Sequence, residues 1–499
     1  MRAIRTRQLY SVDDSNISPV VYGSGAASAM LRDLASGTNS LDIVVVGDSN
    51  TGSAVSDMWG YHHGFQQTLN DRGYTCYATP MLPTQTDFGA AGSQQTIMTW
   101  RGSLQLYQGG GGNAPLLNGN TSGGATPYAA WTSNSLVVRY GSSSATPPSK
   151  DSYAYITSAS SPYWFSTFGV SIDSNHPLAQ PSQVLKYRVR YGTFTTAGGK
   201  FCPMVFNGSN TEQFGRTHQS TTGASYSFTA YETPAVTTAG TTSYKAAWSY
   251  VTTGQPVNNV TGPVAIHSQS LYRPTKGWSV TAHQYLGGYS SDMIATEVSN
   301  WQNLSLYLRE LRERQIAAGG SGRVLLVYQA GVNAATPGNV PENPTKWVNA
   351  AKAIWNAYKA AWSGLGYPIS DLACCFWCSH QINAADNSSL GAGGNMIAVR
   401  AAANQMAIDN PDMTVVDIKR LLNYNQLLMG TGDIGAAGNP VAGNGKPYYQ
   451  RINNWPAAGP DFYAHLSGGW TSNVGPVFHP TDGYTLMCNN IIGALLAAS

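Results

Sequence analysis

The chain has 499 residues, enough for two or three domains of about 100–200 residues each. Charged residues make up 11% of it, against about 25% in a typical soluble protein, and the formal net charge is +3. No basic run stands out, which excludes an electrostatic footprint for nucleic acid, and no stretch approaches the roughly 20 apolar residues that cross a bilayer. The missing charge is replaced by small polar residues, 54 Gly and 29 Tyr, a balance that suits a loop-rich β protein with a polar, uncharged surface. The N-terminus, MRAIRTRQLYSVDDSN, has basic residues but lacks the apolar core of a secretory signal. An extracellular or virion-associated protein, released by lysis or by a route without a signal peptide, fits both observations.

The first element in chain order is Leu41–Gly47 (LDIVVVG), a continuous apolar run ending in a turn, as a buried parallel strand requires. Met58, Tyr61, Phe65 and Leu69 then recur at helical spacing, and Tyr74–Ala78 reads as a second strand. From Thr84 to Lys276 the chain turns rich in Gly, Ser, Thr and aromatics without helical periodicity. Its clearest strand is Val184–Tyr191, where Leu185, Tyr187, Val189 and Tyr191 alternate with the basic Lys186, Arg188 and Arg190. Short runs beginning at Leu136, Tyr163, Tyr226, Tyr244 and Val264 repeat the pattern, which predicts a β-sandwich or jelly roll.

Past Gly277 the α/β rhythm returns. Ile294, Val298, Trp301, Leu304, Leu308 and Leu311 predict one long amphipathic helix. Val324–Tyr328 predicts a strand, Trp347–Trp362 a helix, Leu372–Cys378 a strand, Met396–Ile408 a helix, Thr414–Ile418 a strand, and 485–496 a final helix. The expectation is a three-layer α/β/α doubly wound sheet of about five parallel strands, interrupted after its second strand by a β-sandwich. The divisions are an N-terminal segment 1–40, a first α/β part 41–83, the insertion 84–276 and a second α/β part 277–499.

In such a sheet, function gathers at the carboxyl ends of the strands. GDSNT places Ser49 after the first strand, and QAGVNAA places Asn333 after Val324–Tyr328. YLGGYSSD offers Gly287 and Gly288 ahead of a helix, and VFHPTDGY offers His479 ahead of the last one. Acyl transfer needs these parts: a hydroxyl deprotonated by an imidazole, and preorganised donors for the oxyanion. Other templates fail. No serine stands in GxSxG, no HExxH exists, and GNGK at Gly443–Lys446 lacks the remainder of a phosphate loop. Cys374, Cys375, Cys378 and His380 crowd together, but no second ligand pair completes a zinc site, and the cysteines read as apolar thiols of a core strand. No cofactor or metal is implied. His62 and His63 follow the GDSNT loop, one expected exposed and one packed, and His465 competes with His479 as a base.

The ordered set GDSN, LGGYSS, GVN and HPTDGY resembles the four blocks of the SGNH (GDSL-like) hydrolase superfamily, over about Leu41–Thr79 and Trp278–Leu496. The resemblance implies that Ser49 attacks an ester carbonyl, with His479 as base. The Ser49 N–H, the Gly288 N–H (or that of Gly287) and the Asn333 side chain would form the oxyanion hole. The family's acid, three residues before the histidine, is replaced here by Pro476. A Ser–His dyad oriented by a backbone carbonyl, or a triad completed by Asp482 or Asp461, are the alternatives. The substrate that follows from the resemblance is an acylated polysaccharide, with O-acetyl groups removed, or another ester. A receptor- or glycan-binding virion structural protein that keeps the fold without turnover is the competing reading. Other virion proteins or a second copy of the chain are the macromolecular partners considered.

Overall fold

The structure is a computed structural model that describes residues 20–23, 25–48, 51, 61–78, 98–99, 102–103, 106–108, 136–140, 152–156, 166–172, 176–193, 199–207, 209, 213–214, 217, 219–220, 222–223, 227–240, 242, 244–250, 264–284, 290–301, 304–331, 342–378, 395–418, 421, 432–434, 440–442 and 483–498. Its central sheet has six strands: β1 (Val21–Gly23), β2 (Leu41–Gly47), β3 (Trp278–Gln284), β4 (Arg323–Ala330), β5 (Leu372–Cys378) and β6 (Thr414–Val416). Their spatial order is β1-β6-β5-β4-β2-β3, with β1 antiparallel at one edge and the other five parallel.

Seven helices frame this sheet among the described residues: α1 (Ala26–Ala35), α2 (Tyr61–Asp71), α3 (Ser291–Ser299), α4 (Leu304–Ala317), α5 (Pro344–Gly364), α6 (Asn395–Asp409) and α7 (Gly483–Ala497). Alternation along the strands sorts the core into two faces. Leu41, Ile43 and Val45 of β2 join Tyr61, Phe65 and Leu69 of α2 and Ile491 of α7, whereas Val44 and Val46 join Ile294, Leu308, Trp347 and Met406 from α3 to α6. Both faces of β2 are therefore covered, which explains its unbroken apolar reading. Local chemistry sets the helix limits. For α5, the Asn343 side chain accepts from the Lys346 N–H at 2.8 Å, Pro344 occupies the first turn, and Gly366 turns the chain away at φ +74°.

Two antiparallel sheets lie within residues 106–272. One contains Leu106–Gln108, Ser166–Ile172, Lys200–Asn207, Gln219–Ser220 and Tyr244–Tyr250; the other Leu136–Tyr140, Ser152–Ile156, Val184–Thr193, Ser227–Glu232 and Val264–Tyr272. Their apolar faces meet: Tyr191 lies edge-on to Phe201 at 4.8 Å, and Leu185, Tyr187 and Val189 are buried with Val205 and Ala246. The basic side of Val184–Thr193 is covered at Arg188 and Arg190, while Lys186 stays half-buried. Arg188 and Arg190 reach Glu310 of α4 through their Nε atoms at 2.6 and 2.7 Å, and Arg188 also meets Glu232 at 2.6 Å.

Two sequence expectations are corrected here. Tyr74–Ala78 is not the second sheet strand; Cys76 and Ala78 make single bridges to Trp278 and Tyr272, and β3 takes the place beside β2. The two antiparallel sheets thus precede the second parallel strand. As an edge strand β3 carries Ser279 and Thr281 between its apolar residues and ends in His283 and Gln284, so it lacks the run that marks an inner strand. The long helix after Ser290 is two helices, because Asn300 leaves helical geometry at φ −92°, ψ 2°. No helix among the described residues is long and apolar enough to cross a membrane.

Candidate active site

The chain order of the parallel strands is β2, β3, β4, β5, β6 and their spatial order β3-β2-β4-β5-β6, the 2-1-3-4-5 arrangement of a doubly wound sheet. The chain leaves β2 towards β3 on one side, and leaves β4 towards β5 on the other. A crevice between connections that part in this way is the ordinary ligand position of such sheets. Here that position falls between the carboxyl ends of β2 and β4.

The residues bordering that crevice are closely tied. Asp48, directly after β2, is fully buried and accepts from Gln329 Nε2 of β4 at 2.8 Å. The same Gln329 amide donates to Thr51 Oγ1 at 3.0 Å, and the Thr51 N–H donates to the Asp48 carbonyl at 2.9 Å. The Thr51 carbonyl in turn accepts the His62 N–H at 3.0 Å, so the start of α2 hangs from the same turn. Gly47 is required by close approach: a Cβ there would stand 2.2 Å from the Gln329 carbonyl oxygen. The glycine and the aspartate of the GDS motif thus have structural reasons, one steric and one hydrogen-bonded.

Beside this crevice, α3 and α5 begin. Glu342, fully buried immediately before the Asn343 cap, accepts from the Ser291 hydroxyl at 2.7 Å and faces the Ser291 N–H at 3.4 Å. Burial pushes its carboxyl above the usual range, against the hydrogen bond from Ser291 and the charge of Lys346. A second tie runs parallel, from Lys346 Nζ to Asp292 at 2.9 Å. Tyr328 of β4 is buried nearby; its phenol is pushed well up by burial and then by Glu342 and Asp48, and its hydroxyl has no hydrogen-bond partner among the described residues. On β3, His283 is packed against the rings of Trp301 and Tyr307 at 4.8 and 4.7 Å, and burial lowers it to about 3, so it is a neutral core group.

Ser49, Gly287, Gly288, Asn333, Asp461, His465, Pro476, His479 and Asp482 all lie outside the described residues. Their described neighbours in the chain are Asp48 for Ser49, Ser290 for the two glycines, Gly331 for Asn333 and Gly483 for Asp482. The far end of α7 is fixed: Arg32 near the end of α1 donates to the Ala498 carbonyl at 2.7 Å, and α1 leads into the start of β2. Helix α7 therefore begins towards the carboxyl edge of the sheet, and His479 precedes that beginning in sequence. His62 is fully buried, its Nε2 2.9 Å from Gln66 Nε2, while the His63 side chain lies outside the described residues.

Sequence reasoning passed over Gln329, Glu342 and Ser291. Gln329 was visible as a polar residue closing an apolar strand. Glu342 and Ser291 carry no local signal, since each acquires its place only from the other. Cys374 and Cys378 point to one face of β5 and Cys375 to the other, so the three thiols do not converge on one ion. Burial raises Cys374 and Cys378 to about 12, as expected of inert core thiols, and His380 lies outside the described residues. No group of three or more metal-binding side chains occurs among the described residues.

No family model matches the chain, and no curated protein matches it. Among solved structures it is similar to a peptidoglycan O-acetylesterase, at 10% identity over 87% of this chain and 95% of that one, with a TM-score of 0.41. It is also similar to a Bacillus subtilis protein, at 11% identity over 64% and 86% of the two chains (TM-score 0.22). A xylan-binding domain from Paenibacillus barcinonensis is similar at 9% identity over 28% and 86% (TM-score 0.20).

Proposed function

We propose that this protein is a serine esterase in which Ser49 is the nucleophile and His479 the base. The observation that carries this reading is the order of four motif segments along a 2-1-3-4-5 sheet. Ser49 follows the end of β2, Gly288 the end of β3 and Asn333 the end of β4, while His479 precedes α7. His479 takes the Ser49 proton as the hydroxyl attacks the ester carbonyl, then returns it to the departing alcohol. The Ser49 and Gly288 N–H groups and the Asn333 amide stabilise the oxyanion; one such donor is worth about 10²–10³ in turnover. Water then repeats the sequence on the acyl-enzyme and releases the acid. With Pro476 in the acid position, His479 is oriented by a backbone carbonyl or by Asp482.

The substrate we propose is an O-acetyl group on a polysaccharide, with the antiparallel sheets of the 84–276 insertion holding the glycan, on an extracellular or virion-borne protein. Hydrolysis of a chromogenic short-chain ester by the native chain and by Ser49→Ala tests the chemistry. Native activity that disappears in the variant supports it, and equal rates in both overturn it. Acetate release from acetylated glycans, compared with longer acyl esters, tests the substrate class; a preference for long chains would overturn it. Pro476 favours a second reading, a glycan-binding virion protein without turnover, which predicts binding by both proteins and hydrolysis by neither.

A further inference from the structure

Four arginines are buried among the described residues, and three of them meet carboxylates: Arg188 and Arg190 share Glu310, and Arg314 meets Asp42. Arg400 of α6 differs. Only 6% of its surface is exposed, and its Nη1 is buried without a hydrogen-bond partner among the described residues. An arginine cannot shed its charge, so a buried guanidinium nitrogen without an acceptor bears its desolvation cost in full.

Helix α6 runs back from β5 to β6, so its N-terminal half lies towards the carboxyl edge of the sheet. Val399, Ala403, Met406 and Ala407 seat it on the core. Beside that stripe, Asn404 Nδ2 donates to Asp417 at 2.9 Å, and Asp417 directly follows β6. Arg400 precedes Asn404 by four residues, so it occupies the same side of α6, one turn nearer the N-terminus. Burial raises the thiol of Cys378, the last residue of β5, to about 12, and that thiol lies near enough to feel Arg400, Asp417 and Glu342. Arg400 therefore belongs to the carboxyl edge that also holds Glu342.

These neighbours decide what the free nitrogen can take. The Cys378 thiol is neutral and supplies no counter-charge, while an Asp417 oxygen is engaged by Asn404. A carboxylate matches the guanidinium fork and brings one negative charge. A doubly charged phosphate would meet Asp417 as a like charge.

We propose that Arg400 binds a carboxylate of the substrate, so that the polysaccharide this esterase acts on is an acidic one. This rests on the esterase reading given above and names its substrate class.

The test uses the full chain as native protein, Arg400→Met, Arg400→Lys and Ser49→Ala. The probe is glucuronate, the smallest acidic sugar, with glucose as the neutral control, titrated by calorimetry. Glucuronate should bind the native chain and Ser49→Ala alike. Its affinity should fall about 10- to 100-fold in Arg400→Met, the range for a hydrogen bond to a charged group. Arg400→Lys, which keeps the charge without the fork, should fall between them. Glucose should not distinguish the four proteins. Unfolding supplies a second readout: Arg400→Met keeps an apolar stem and removes an unmet charge, so its denaturant midpoint should equal or exceed the native one. A lower midpoint would mark a structural arginine and overturn the proposal. Equal glucuronate affinity in native and Arg400→Met, no binding by the native chain, or tighter binding of inorganic phosphate would overturn it too. Hydrolysis that survives in Ser49→Ala would overturn the esterase reading instead, and leave the glucuronate result to decide the site.

Discussion

The seam along α4 and the carboxyl edge of the sheet both bury carboxylates, but they partner them differently. Along α4, Glu310 receives two guanidiniums, and burial, which would raise its pKa, is outweighed by Arg190 and Arg188, which hold it below the usual range. At the carboxyl-terminal end of the same helix, Asp42 is met by Arg314 at 2.7 Å, Gln315 at 2.6 Å and the Tyr77 hydroxyl at 2.8 Å. At the carboxyl edge, neutral donors meet the acids: the Gln329 amide at Asp48 and the Ser291 hydroxyl at Glu342, whose pKa burial raises. The first arrangement neutralises charge and fixes the antiparallel sheets onto the α/β framework. The second keeps acids in place by hydrogen bonding, beside a crevice where chemistry is proposed.

The largest expected effect separates these roles. Arg188 and Arg190 lose their shared buried acceptor but keep Glu232 and Glu313, so Glu310→Ala should cost about 3 kcal/mol, the low end for a broken buried ion pair, in denaturant unfolding. Activity per folded molecule should hold, and a large kcat loss in the folded variant would break the distinction. Gly47→Ala comes next. Its Cβ meets backbone at 2.2 Å, and the displacement should cost about 1–3 kcal/mol together with esterase activity. A variant of native stability and rate would show that the β2–β4 crevice tolerates movement.

The smallest effect is in pH, and its sign differs between the two glutamates. Glu310, depressed in the folded state, stabilises above the ordinary carboxylate pKa of about 4.3, and that stability is lost as pH falls through its folded value. Glu342 is raised, so the folded state binds its proton more tightly. Its contribution is fully present below about pH 4.3 and is lost as pH rises through the folded value. Unfolding curves from pH 3 to 8 should therefore show Glu342→Gln gaining on the native chain as pH rises, and Glu310→Gln gaining on it as pH falls. Parallel pH curves for the three proteins would erase the contrast.

Much of the framework could be read from the chain, because β2, β4 and β5 are buried on both faces and α5 shows its apolar stripe and cap. What escaped depends on partners distant in sequence. The basic side of Val184–Thr193 resembles a solvated strand face until Glu310 and Glu313 are placed over it, and β3 resembles a loop until β2 is placed beside it. At the candidate site, GDS announced Gly47 and Asp48, while Glu342 and Ser291 became meaningful only as a pair.

The most direct measurement is the intact mass of the native chain and of Ser49→Ala after treatment with a serine-reactive fluorophosphonate, followed by peptide mapping. A single adduct on the peptide containing Ser49, absent from the variant, is the predicted result. No adduct on the native chain, or an adduct that persists in Ser49→Ala, would contradict an activated serine at the end of β2.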